Sequence, residues 1–168
     1  MVEIQAGSGV IDVEVRHVAS QSTACVHLLR RPSELPGAFG RYLPHIGRVV
    51  GQHAGRFDGP PYLLYLGTYD GKLDVELGMP LVAPIDDLPP VRTLSEGAVG
   101  MGELPAGRVA VCVYTGPYDG LGDAWADFNG KLAQEGFSAG NVSWESYIDN
   151  PDFVPAYELR TVLYQLLD

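Results

Sequence analysis

The chain has 168 residues, 46 % of them apolar, and a formal net charge of −10 at pH 7. This length and composition fit one folded domain with a sizeable core and exclude a disordered chain. The acidity would repel a phosphate backbone over most of the surface, so direct nucleic-acid binding is not expected. No apolar run approaches the ~20 residues that cross a bilayer, and no charged segment leads into one, so membrane association is not expected and a cytoplasmic location is.

In chain order, STACVHLLRRPSELPGAFGRYL begins at Ser22 as an apolar strand and turns at Pro32 into a helix. Phe39, Leu43, Ile46 and Val50 are spaced 4, 3 and 4, one apolar stripe, with Gly55 as a stop. Pro44 falls inside that stripe and either kinks the helix or restarts it. PPYLLYLGTYDGKLDVELGMPL follows from Pro60 as strand, turn and strand. Residues 83–97, APIDDLPPVRTLSEG, carry three prolines and three acids and read as an extended linker, not a separate domain. GAVGMG, residues 97–102, opens no helix and lacks a Lys-Ser/Thr tail, so it is not a phosphate loop.

RVAVCVY, residues 108–114, is apolar on both faces, as a central strand should be. Leu121, Trp125, Phe128 and Leu132 again repeat 4, 3, 4; Asp119 is placed to cap that helix and Gly136 to end it. VSWESYIDNPDFVPAYELRTVLYQLL closes the chain from Val142 as a second strand pair. The segments repeat. Tyr62 aligns with Trp144 and Tyr65 with Tyr147, the same separation of 82 positions in each pair. Pro32 aligns with Pro117 and Phe39 with Trp125 at offsets of 85 and 86, one gap apart. The expected fold is therefore α+β: duplicated βαββ units over about 11–82 and 98–167, forming a single domain over 1–168. They build a curved antiparallel eight-stranded sheet with two main helices on one face and a pseudo-twofold axis.

The histidines at 17, 27, 45 and 53 show no metal-ligand spacing, so neither a metal nor a cofactor is expected. Cys25 and Cys112 lie in apolar strand runs, which suits buried thiols; a disulfide or a reactive thiol is the alternative. Glu145, between Trp144 and Tyr147, is the residue that propensity does not explain, because strand interiors are poor in Glu. A solvated charge that discourages edge pairing is one reading. A buried functional acid is the other.

GELPAGRVAVCVYTGPYDGLGDAW, then WESYIDNP, then ELRTVLY resemble the second half of the GyrI-like small-molecule-binding (AraC/BmrR-type effector-binding) domain family. PYLLY and DVELGMPL are similar to its first half, and the resemblance covers roughly residues 11–167. The chain departs at Val162 and Leu166, where the family carries Glu and Pro. The resemblance implies a ligand groove between two βαββ units, with one acid at its centre that meets cationic or polarised ligands. Only Glu145 falls on that position; Leu63 is its counterpart in the first half.

Period-two alternation puts Ser143, Glu145, Tyr147 and Asp149 on one face, expected to be the open one, and Val142, Trp144, Ser146 and Ile148 on the helix-covered face. By repeat equivalence Leu63 and Tyr65 join the Glu145 face; Tyr164, Trp125 and Phe39 are further wall candidates. An aromatic box with an acidic floor suits a flat hydrophobic cation. The expectation is thus a standalone binding module of the multidrug type, with ties to transcription regulation and drug resistance and with any protein partner unspecified. The alternative is a hydrolase of electrophilic cyclopropanoid natural products, with Glu145 acting on a water and Tyr65 or Tyr147 donating to a carbonyl. A third reading, masking of a topoisomerase through acidic surface, rests on family analogy alone.

Overall fold

A computed structural model describes residues 2–3 and 10–168, with side chains from residue 13 onward. Residues 4–9, part of the expected domain over 1–168, lie outside the described residues. The chain divides into two compact units, one formed by Met1–Val18 with Gly107–Asp168 and the other by Ala19–Ala106. The architecture is α+β and antiparallel throughout the named strands, as the alternation and the two amphipathic stripes predict. No helix among the described residues is long and apolar enough to cross a membrane.

The first unit holds β1 (Val2–Glu3), β2 (Val10–Val18), β7 (Gly107–Thr115), α2 (Leu121–Gln134), β8 (Ala139–Tyr147) and β9 (Arg160–Leu167). Its strands lie in the order β1-β2-β7-β9-β8. β7 pairs on both edges, and Val109, Ala110, Val111 and Cys112, which alternate between its faces, are all buried, which is why its run 108–114 is apolar on both faces. Val13, Ala110, Cys112, Tyr114, Leu163 and Leu167 from the strands meet Ala124, Phe128 and Leu132 from α2. Burying a side chain such as Phe128, 0 % exposed, contributes about 1.5–3 kcal/mol. Gly136, at φ +82°, ends α2 as expected. Its N–H donates to the Ala133 carbonyl and that of Phe137 to Leu132, so two orphan carbonyls are satisfied. The expected Asp119 cap is not made. Asp119 lies in a 3-10 turn (Tyr118–Gly120) that precedes α2, and no side chain caps the helix.

The second unit holds β3 (Gln21–Arg30), α1 (Leu35–Gln52), β4 (Tyr62–Tyr69), β5 (Lys72–Pro80) and β6 (Gly100–Leu104), with strand order β4-β5-β3-β6. α1 runs unbroken through Pro44, whose exposed position leaves the Gly40 carbonyl to water. Its buried stripe is Ala38, Tyr42, Ile46 and Val50, with Phe39 and Leu43 only half-buried at its border. The sequence spacing gave the right helix with a slightly rotated face. Its stop also differs from expectation. Ala54, not Gly55, adopts the left-handed conformation, at φ 55°, while the Gly55 N–H donates to the Val50 carbonyl. Gly55 is required for space instead, since a Cβ there would lie 2.8 Å from both Ile85 Cδ1 and Val50 Cγ1.

β2 is numbered with the first repeat but pairs with β7, and β6 is numbered with the second but pairs with β3. A strand's alternation identifies a strand without naming its partner. The linker residues 83–97 pack within the second unit and form a short 3-10 turn, Val91–Thr93. Cys25 and Cys112 are free and buried, and burial pushes each thiol up to about 12, so they serve as small apolar side chains.

Candidate functional site

β8 and β9 pair with Glu145 opposite Leu163 and Tyr147 opposite Thr161. Directly paired residues share a face. Leu163 packs with Ala124, Phe128 and Leu132 of α2, so Glu145 and Tyr147 point toward the helix. The open-face expectation is therefore reversed. Trp144 is the residue that points the other way, where it stacks on its paired Tyr164 at 4.9 Å and 8°. Alternation correctly separates the two sets, but apolarity misassigns them, because the helix side of this strand carries the polar set.

Glu145 is 2 % exposed. The Trp125 indole Nε1–H, from α2, donates to Glu145 Oε2 at 2.6 Å, and the Tyr147 hydroxyl donates to Oε1 at 2.6 Å. Hydrogen bonds to a charged acceptor contribute about 1.5–3 kcal/mol each, which offsets the desolvation of a buried carboxylate. Both of these donors are neutral groups, and between them they orient both carboxylate oxygens. Trp125 also packs on Phe128 at 5.6 Å. A stripe position that reads as core is here both core and a carboxylate ligand.

Tyr118 extends the aromatic surround. Its ring meets Tyr147 edge-on, with centroids 5.7 Å apart at 75°. Burial first, then the charges of Asp149 and Glu145, pushes its hydroxyl above the ordinary tyrosine range, so Tyr118 stays neutral. The Gly-Pro-Tyr string acquires a physical reason. Tyr114 donates to the Pro117 carbonyl at 2.6 Å, and Gly116 and Gly120 lie against the Tyr114 hydroxyl where a Cβ would collide. This contact fixes the turn that carries Tyr118.

Beyond Tyr147, the hairpin is clamped by Arg160, which donates to Asp149 through its backbone N–H, Nε and Nη2, each at 2.9 Å. Those hydrogen bonds hold the Asp149 carboxyl below its usual range. Thr161, directly across from Tyr147, has the one buried side-chain oxygen that lacks a hydrogen-bond partner among the described residues.

Of the expected site residues, the fold thus brings together Glu145, Tyr147 and Trp125. Tyr164 is on the opposite face of the same strand pair, against Trp144. Leu63, Tyr65 and Phe39 belong to the second unit: Leu63 is 1 % exposed in β4, and Tyr65 and Phe39 are half-buried on β4 and α1. Tyr118 was quoted as a motif residue but not as a wall residue. Its proximity to Tyr147 depends on a turn that sequence alone does not position.

A second buried acid was missed altogether. Glu76, 1 % exposed, sits in β5 between Val75 and Leu77. The signal was present, since a Glu within a strand run is as anomalous at 76 as at 145. Arg92 Nε reaches Glu76 Oε2 at 3.3 Å. Register puts Glu76 on the face of Cys25 and Tyr62, and Thr23 shares a 2.8 Å hydrogen bond with Tyr62 there. Arg30, of opposite parity on β3, meets Tyr42 of α1, so Glu76 faces away from that helix. No cluster of three or more His, Cys, Asp or Glu suited to a metal occurs among the described residues.

Residues 70–165 match the profile of the GyrI-like small molecule binding domain. No curated protein matches the sequence. Among solved structures, the chain is similar to the EcmrR C-terminal domain at TM-score 0.76 and 19 % identity, covering 94 % of this chain and 97 % of that one. In an EcmrR–DNA complex it spans 57 % of the matched chain's length. SAV2435 bound to tetraphenylphosphonium matches at TM-score 0.67 and 11 % identity over 94 % of each chain. A hydrolase from Listeria innocua matches at TM-score 0.59 and 13 % identity, over 93 % of this chain and 91 % of that one. At these identities the structural neighbours speak to the fold alone.

Proposed function

Because this chain belongs to the GyrI-like small-molecule-binding family, we propose that it binds hydrophobic cations against Glu145, as a module of the multidrug type. The observation that carries this reading is a carboxylate 2 % exposed and oriented by Trp125 and Tyr147. A cation seated near it gains from weak screening in an apolar surround and from the aromatic faces, about 0.5–2 kcal/mol per ring. Tyr118 and Tyr147 supply such faces without adding charge. SAV2435, a fold neighbour with a bound phosphonium cation, supports the choice of ligand class.

The test is a titration of the wild-type chain and Glu145→Gln with tetraphenylphosphonium. This substitution removes the charge at nearly constant shape. The expected result is a loss of affinity of about tenfold or more, equivalent to ~1.4 kcal/mol or above. Unchanged affinity overturns the assignment of Glu145.

A second reading has one observation in its favour. The Tyr147 hydroxyl and the Glu145 carboxylate are hydrogen-bonded at 2.6 Å, a pair able to hand a proton to or from a bound electrophile or water. Incubation with a cyclopropanoid electrophile decides it. Product beyond one equivalent per chain, abolished by Glu145→Gln and Tyr147→Phe, makes the chain a hydrolase; retention of intact compound leaves it a binding module.

A further inference from the structure

The charge of this acidic chain is unevenly distributed. Residues 30–56 contain five arginines, at 30, 31, 41, 48 and 56, against one acid, Glu34. The rest of the chain holds six Lys and Arg against twenty Asp and Glu. α1, which holds Arg41 and Arg48, and its two flanks therefore carry the basic part of a molecule whose net charge is −10.

Arg41, His45 and Arg48 lie at i, i+4 and i+7, one line along α1. With Tyr42, Glu96 and Gly97 they line a cleft of about 330 Å³. Its far wall is anchored. The Gly97 N–H donates to the His27 carbonyl at 3.0 Å. Glu96 Oε1 accepts from the Leu29 N–H and from Arg30 Nη1, both at 2.7 Å. Burial acts to raise the Glu96 carboxyl, but those donors and the Arg30 charge outweigh it and hold it below its usual range. The one acid in the cleft is thus already neutralised by its own neighbour. The floor is rigid as well: the Arg41 guanidinium lies 5.2 Å from the Tyr42 ring centroid and that of Arg30 6.0 Å, and the ring packs against Gly97.

Arg41 and Arg48 are exposed, and neither forms an ion pair among the described residues. The two guanidiniums stand seven residues apart, about two helical turns, along one line of α1 beside a preformed concavity. Guanidinium forks match oxyanions in bidentate geometry. The volume is at the small end of ligand sites, suited to a phosphate or a compact phosphate ester and too small for a large hydrophobic guest.

We propose that this cleft on α1 is a second binding site, for a small polyvalent oxyanion of the phosphate-ester class, held by Arg41 and Arg48 with His45 between them. It is independent of the Glu145 reading. The probe is inorganic pyrophosphate, titrated calorimetrically into the full chain at about 0.15 M salt, where exposed charges beyond ~8 Å are screened. The expected result is saturable one-to-one binding, weakened tenfold or more in the double variant Arg41→Gln/Arg48→Gln and unchanged in Arg108→Gln, an exposed arginine elsewhere. Tetraphenylphosphonium binding by the double variant should equal that of wild type, which separates failure here from failure at Glu145. Absence of saturable binding, or equal loss in Arg108→Gln, overturns the site. Capture by phosphatidate vesicles or by a poly-glutamate peptide through Arg41 and Arg48, without pyrophosphate binding, also overturns it, since the surface would then dock a larger partner.

Discussion

Glu145 and Glu76 are both buried acids within antiparallel strands, 2 % and 1 % exposed, one in each unit. Their surroundings differ. Glu145 turns toward α2 and is held by two neutral aromatic donors, Trp125 and Tyr147. Glu76 turns away from α1 toward Cys25, Thr23 and Tyr62, and meets the guanidinium of Arg92. Glu76 is paired with a cation already present in its own unit. At Glu145, two aromatic donors fix the position of the carboxylate. The two units thus surround a buried acid differently, one with a guanidinium and one with neutral aromatic donors.

The largest expected effect comes from forcing the units to be alike. Leu63 is the repeat counterpart of Glu145, 1 % exposed and paired with Leu77 as Glu145 is paired with Leu163. Leu63→Glu should cost about 3–5 kcal/mol at neutral pH, because it buries a charge in a site without built donors. Denaturant melts would read it, and a wild-type midpoint would mean that the second unit has donors at that position too. Gly78→Ala attacks the packing around Glu76. A Cβ there would lie 2.5 Å from Cys25 Cβ, 2.6 Å from the Ala24 carbonyl oxygen and 2.8 Å from the Tyr62 hydroxyl. We expect a loss of about 3 kcal/mol, from overpacking against backbone that cannot yield.

Arg92→Gln should cost about 1–3 kcal/mol despite the exposure of that side chain, 72 %, because its partner is 2 % exposed. The double variant Glu76→Gln/Arg92→Gln should recover most of the loss; additive losses would show that the pair does not couple. By contrast, Glu145→Gln should leave stability within about 1 kcal/mol while weakening cation binding, since Gln still accepts from Trp125 or Tyr147. The smallest change sharpens the helix ends. Ala54→Gly should stabilise the chain by about 1 kcal/mol, because Ala54 occupies the left-handed region at φ 55°, whereas the equivalent stop of α2 already uses Gly136. A thermal melt measures it.

Much of this arrangement is legible in the residues. The 4, 3, 4 stripe around Phe128 and Leu132 locates α2, and the 82-residue repeat locates both strand pairs. Glu145 is flagged by its place in a strand run together with the repeat and the family resemblance. Other features are not legible. Trp125 reads as core, and it is core; that its indole N–H also reaches Glu145 depends on the lateral position of α2 over β8. Phe39 opens its stripe by spacing, yet Ala38 and Tyr42 are the residues that go inside, because rotating a helix by a fraction of a turn preserves the period. Arg92 lies in a proline-rich linker that carries no periodic signal, so its approach to Glu76 could not be read.

The elements, their duplication, and the side chains of β8 that share a face were written in the residues, since these follow from local periods of 2 and 3.6 residues. Which face meets α2, which strand each of β2 and β6 joins, and what partner each buried acid finds were fixed by the folded arrangement. Those choices arise from contacts between residues distant in the chain, and a local period is identical for either outcome.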